Sequence, residues 1–153
     1  MPRDIEELLP GALATFSARK LHCAETVLNT MAKYNEQDMT NIPRIATAFG
    51  GGMASSQRDC GAFTGGLMAI GLALGREEGG DRRSAYAAAR EFMDWFEDGR
   101  SRFCKEIVKT DFSDRIQMAR FSAPGGGHQT ICEPLVTEVC RYLALAFERW
   151  KTD

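Results

Sequence analysis

Five cysteines, at positions 23, 60, 104, 132 and 140, are the residues of this 153-residue chain best suited to chemistry. A thiolate attacks disulfides and binds soft metals, whereas a buried thiol behaves as a small hydrophobe. The first four share a setting that the fifth lacks. Cys23 follows His22 at the start of a helical pattern, Cys60 follows Asp59, Cys104 lies three after Ser101, and Cys132 lies two after Thr130. Ser, Thr and Asp cap helix N-termini, so all four cysteines are predicted in the first turn of a helix. Free N–H donors and about half a positive charge favour an anion there, and a thiolate is one. The plain alternative is four small buried residues near helix ends. Cys140 shares an apolar strip with Val136, Leu143 and Phe147 and reads as ordinary core.

Spacing limits what the four thiols could hold. Separations of 37, 44 and 28 residues are unlike compact zinc-finger or ferredoxin runs, so four separate elements would have to supply the sulfurs. Soft ligands select an iron–sulfur cluster, zinc or Cu(I); two reversible disulfides would use the same residues without metal. With no Cys-x-x-Cys-His in the chain, covalent haem is not expected. His22 is read as a helix cap, a metal ligand or an activator of Cys23. His128, after Ala123-Pro124-Gly125-Gly126-Gly127, is read as a solvated loop residue. Gly50-Gly51-Gly52 lacks the Gly-Lys-Ser/Thr ending of a phosphate loop and reads as a turn.

Composition narrows the partners. Nineteen basic against 21 acidic residues give a net charge of −2, with no electrostatic footprint for nucleic acid or an anionic membrane. The longest uncharged run, Cys60 to Gly75, is 16 residues and interrupted by glycine; a membrane helix needs about 20. Met1-Pro2-Arg3-Asp4-Ile5-Glu6-Glu7 does not resemble a secretory signal. A reducing cytoplasm is therefore expected, where spaced cysteines read as metal-binding or redox-active rather than as a disulfide scaffold.

The elements that must position the thiols follow a helical period, with no convincing period-two strand. The expectation is an all-α bundle of about five principal helices forming one domain over residues 1–153. One or two short helices interrupted at Pro10-Gly11 come first, then a helix from His22. A short helix runs from Pro43 to Phe49, and longer ones from Asp59 to Leu74 and from Asp81 to Asp98. Ser101 caps a helix through Val108, and Asp114 to Phe121 holds a turn or two. The last helix opens on the capping box Thr130-x-x-Glu133 and runs to Trp150.

Glycines 61, 65, 66 and 71 lie inside one helix, each costing about 1 kcal/mol against alanine. Gly61, Gly65 and Ala69, spaced by four, make a smooth ridge for a second helix, a cofactor or a symmetry mate, and that helix is expected to be central.

Cys60-Gly61-Ala62-Phe63-Thr64-Gly65 resembles the CGAxxG motif of the C_GCAxxG_C_C family, labelled redox-active. His22-Cys23-Ala24-Glu25-Thr26-Val27-Leu28 resembles that family's first-cysteine helix, and Phe49-Gly50-Gly51-Gly52-Met53 its glycine-rich lead. Phe103-Cys104-Lys105-Glu106 and Cys132-Glu133 resemble its third and fourth cysteine segments. The resemblance covers about residues 12–148. It implies a redox or metal site of Cys23, Cys60, Cys104 and Cys132; the ridge glycines Gly61 and Gly65, and His22 beside Cys23, are the residues expected against any bound cofactor. A similar helical domain accompanies an iron–sulfur site in certain multihaem-type cytochromes. The implied partner is a redox protein. The competing reading is a non-catalytic helical binding module, a homodimer for instance, whose cysteines are incidental. An enzyme and an electron carrier would both be served by such a site.

Overall fold

The computed structural model describes residues 3–152. Seven α-helices form among them, with no strand: α1 (Ile5–Ser17), α2 (Cys23–Tyr34), α3 (Gly61–Leu74), α4 (Arg83–Glu97), α5 (Cys104–Val108), α6 (Arg115–Ser122) and α7 (Glu133–Trp150). A 3-10 helix, Arg44–Phe49, and a π turn, His128–Cys132, complete the set. α2, α3, α4 and α7, and the short α5 and α6, fall where the periodicity predicts them; α1 is one continuous helix instead of one or two short ones. No described helix is long and apolar enough to cross a membrane.

α1 does not break at Pro10-Gly11. Asp4 caps it by accepting from the Glu6 N–H at 3.0 Å, and the helix runs through Pro10. Proline cannot return a hydrogen bond to the carbonyl four residues back, here that of Glu6. Both residues lie on the exposed side of α1, where water can take that carbonyl.

α2 is the axis of the bundle. Nine of its 12 residues are buried, because α1, α3, α7 and the 3-10 helix all pack against it. α3 comes closest, and the glycine ridge is the reason. A Cβ on Gly61 would lie 2.8 Å from the Ala24 nitrogen, and one on Gly65 would lie 2.7 Å from the Ala24 carbonyl oxygen. On its other side Gly66 faces the Phe92 ring, where a Cβ would sit 2.5 Å away. Phe92 and Phe96 of α4 are fully buried and pack with Phe63 of α3. Three of the four glycines inside α3 therefore serve helix packing.

Gly71 is the exception: it is exposed, and a Cβ added there would meet nothing within 4 Å. Gly71→Ala is expected to stabilise the protein by about 1 kcal/mol through helix propensity alone, read as a higher urea midpoint with an unchanged slope.

Candidate functional site

Cys60 and Cys104 are fixed by one short clip. Asp59 and Phe103 pair as an isolated antiparallel bridge, with the Cys60 N–H donating to the Arg102 carbonyl and the Cys104 N–H to the Arg58 carbonyl, both at 2.7 Å. Each cysteine then opens a helix on the far side of the clip. Two expected caps move as a result. Asp59 accepts from Arg102 Nε at 3.0 Å, leaving Cys60 as the N-cap of α3. Ser101 Oγ accepts from the Phe103 N–H at 3.0 Å, so Phe103 is the N-cap and α5 begins at Cys104.

Cys23 is the first residue of α2. His22 caps that helix with Glu25 in a reciprocal capping box, the His22 N–H donating to Glu25 Oε1 at 3.0 Å. Cys132 is placed differently from its expectation. The last helix is not opened by Thr130, whose Oγ1 donates to the Gly126 carbonyl at 3.0 Å inside a turn already formed. Helical backbone begins upstream as the π turn, because Gly126 and Gly127 let the chain cross the end of α6 and the Phe121 ring. Cys132 closes that turn and leads straight into α7.

These four cysteines line one cavity of about 210 Å³, together with Phe16, Arg19, His22, residues 50–52, Gly61, Phe121 and His128. Cys60, Cys104 and Cys132 are 6, 7 and 8% exposed; Cys23 is less deeply covered. All five cysteines are free. Cys140 is outside the cavity, fully buried in α7, its thiol pushed up to about 12 by burial although Thr30 hydrogen-bonds it. Gly65 sits one turn beyond the cavity against Ala24, and His22 at its exposed rim. Among the described residues, no three His, Cys, Asp or Glu side chains converge at the spacing of a single metal ion.

The thiols are electrostatically unequal. Cys23 and Cys132 are hydrogen-bonded to each other. That contact holds the Cys23 thiol well above the ordinary value, with burial and the neighbouring sulfurs adding to it. The same contact lowers Cys132, and the Arg19 guanidinium lowers it further against burial. Of the pair, Cys132 is therefore the sulfur that loses its proton more readily. Burial pushes Cys60 up to about 11, partly opposed by the Ala62 and Phe63 N–H groups at its sulfur. Burial and the charges of Cys60 and Cys132 push Cys104 up to about 12, opposed by the Gln57 amide.

Gln57 carries no signal in the sequence, and His128 is placed differently from its expectation. Gln57 is buried with a left-handed backbone, φ +59°. Its Nε2 donates to the Thr110 carbonyl at 2.6 Å and its Oε1 accepts from the Phe112 N–H at 2.9 Å, fastening the 50–58 loop to the chain after α5. Met53, Ala54 and Ser55 share the left-handed backbone, which costs about 1–2 kcal/mol per non-glycine residue. Nothing in their types announces it.

His128 is not solvated. It is 8% exposed, stacks on Phe16 with centroids 4.3 Å apart, and meets Phe121 edge-on. The spacing of four to Cys132 places both on one side of a helical turn, a signal available once helix is allowed upstream of Thr130. Burial, with the charges of Arg19 and His22, lowers the imidazole from 6.5 to about 4. The unfolded chain then takes up this proton below about pH 6.5 and the folded one only below about 4. Stability from this group is complete above pH 6.5 and falls as the pH drops towards 4. His128→Phe is expected to flatten that fall, as seen in urea midpoints measured between pH 7 and 5.

No curated protein and no solved structure matches the chain. One family does, described as "Putative redox-active protein (C_GCAxxG_C_C)", over residues 21–145. That span holds the four cysteines of the cavity and both halves of the clip. The chain is a member of the C_GCAxxG_C_C family.

Proposed function

We propose that the protein is a thiol-based redox protein in which Cys132 attacks and Cys23 resolves. The observation that carries this is that Cys23 and Cys132 line one cavity and hydrogen-bond each other, a contact that raises the Cys23 thiol and lowers Cys132. The Cys132 thiolate attacks one sulfur of a substrate disulfide, forming a mixed disulfide as the other half leaves as a thiolate. Cys23 then attacks the Cys132 sulfur, giving its proton to the departing second thiolate. Two electrons pass to the substrate, and the sulfurs close from contact to a bond of about 2.05 Å. A dithiol reductant or a redox partner protein returns the pair to its starting state.

A second reading rests on a different observation, the four thiols from four elements around a cavity of about 210 Å³. The donor set suits an iron–sulfur cluster, which Cys23, Cys60, Cys104 and Cys132 would hold and which would supply electron transfer. Loading would release protons, since burial keeps Cys60 and Cys104 protonated.

Anaerobic purification with iron, zinc and acid-labile sulfide analysis separates the two, followed by mild oxidation and peptide mapping. The expected result is a metal-free protein whose oxidation joins Cys23 to Cys132. Iron and sulfide with charge-transfer bands would carry the second reading instead. Neither metal nor disulfide would leave a helical binding module with incidental cysteines.

A further inference from the structure

The cavity holds two polar groups that the thiol chemistry above does not use. Arg19 is partly buried at its wall, and among the described residues it forms no ion pair; its one side-chain hydrogen bond goes to the Ser122 carbonyl at 3.3 Å. His128, 8% exposed, has a buried Nε2 with no partner. Leaving such a group unpaired weakens a fold unless something else satisfies it. The nearest acid in sequence, Glu133, accepts from Ser17 Oγ at 2.9 Å and does not line the cavity. A guanidinium without an ion pair and an imidazole with an unpaired buried nitrogen thus belong to the lining of the cavity that holds Cys132, together with the rings of Phe16 and Phe121.

We infer that the cavity takes a small anion containing a sulfur–sulfur bond, with Arg19 and His128 binding its charged end while Cys132 attacks its sulfur. The inference rests on the dithiol reading and names the substrate class of that same site. Size supports it: an engineered protein cavity of about 150 Å³ accommodates benzene, so about 210 Å³ suits a small molecule. With Cys132 only 8% exposed, a small molecule entering the cavity reaches it more readily than a disulfide on a folded protein surface. Charge supports it too, because apolar walls strengthen the attraction of a guanidinium for an anion.

Thiosulfate is the simplest probe of this class. The Cys132 thiolate attacks its outer sulfur, the sulfur–sulfur bond breaks, and sulfite leaves with the electron pair. A persulfide remains on Cys132. Cys23 attacks the Cys132 sulfur, passes its proton to the departing sulfur and releases hydrosulfide, leaving the Cys23–Cys132 disulfide. Two thiols are oxidised and one sulfane sulfur is reduced to sulfide.

Methyl methanethiosulfonate is a neutral thiosulfonate of similar size that needs the same thiolate. The ratio of the two rates therefore cancels any change in Cys132 ionisation or in the fold around it. Arg19→Met and His128→Phe are each expected to lower the thiosulfate-to-thiosulfonate ratio about tenfold, with Arg19→Lys restoring part of it. In Cys132→Ser, calorimetry is expected to show thiosulfate binding that Arg19→Met abolishes. An unchanged ratio, with Cys132 reacting normally with both reagents, overturns the anion site and leaves the dithiol reading standing. A Cys132 inert to both reagents overturns the two together.

Discussion

Cys132→Ser is expected to remove the fast reaction of the protein with a chromogenic disulfide at neutral pH, lowering the rate at least about 10³-fold. The size follows from removing the only cavity thiol held below the ordinary value. What remains are thiols that burial or a sulfur partner pushes up, and thiols are poor nucleophiles. Cys23→Ser is expected to keep the fast attack and trap the mixed disulfide, visible as a stable mass increase. Cys140→Ser should leave both steps intact, since Cys140 lies in α7 away from the cavity. The rate should rise with pH through a midpoint below that of a free thiol, because the attacking form is the thiolate. Arg19 and Cys23 both favour that form. A Cys132→Ser protein that reacts as fast as the parent would remove Cys132 from the role of attacking group.

The second large effect is expected at Gly65, which carries no reactive group. A Cβ there would come within 2.7 Å of the Ala24 carbonyl oxygen and 3.0 Å of its Cα. These are backbone atoms, so no side chain can turn aside. Gly65→Val must push α3 away from α2, the most buried helix, at a cost of about 3 kcal/mol. That is a large share of the 5–15 kcal/mol typical of a domain. The damage should reach the site as well, because Gly61, one turn back on α3 and next to Cys60, packs against Cys23 and Ala24. Urea unfolding gives the first quantity and the rate of the Cys132 reaction the second. Full stability with a valine at 65 would show that the close approach is not needed.

The fold was legible because its signals are additive over many residues. The helical period of α2, α4 and α7 survives any single misplaced cap, whereas the proline inside α1 suggested a break that the exposed side of the helix does not need. The glycine spacing of α3 announced a close approach, though not which partner would use it. Local choices between neighbours were harder to read. Asp59 and Ser101 are both good caps, yet the bridge between Asp59 and Phe103 claims them for other bonds. That bridge joins residues distant in sequence, which no local pattern reports. Thr130 likewise matches a capping box but lies inside a π turn that three preceding glycines make possible. The partition of the cysteines was visible from Cys140 sitting mid-strip. The burial of His128 was not, since a run of glycine and proline ordinarily marks solvent.

The clip between Asp59 and Phe103 also separates what the sulfurs sense from what the rest of the chain does. Everything between Cys60 and Arg102, which is α3, the exposed turn at Gly79-Gly80 and α4, leaves and returns through one point fastened by two backbone hydrogen bonds. The spacing of Cys60 and Cys104 is set at that fastening, not by the length of the excursion. Loop closure responds only weakly to added residues. The turn at Gly79-Gly80 is therefore a place where the chain can grow, shrink or accept a foreign segment while the geometry at the sulfurs is inherited unchanged.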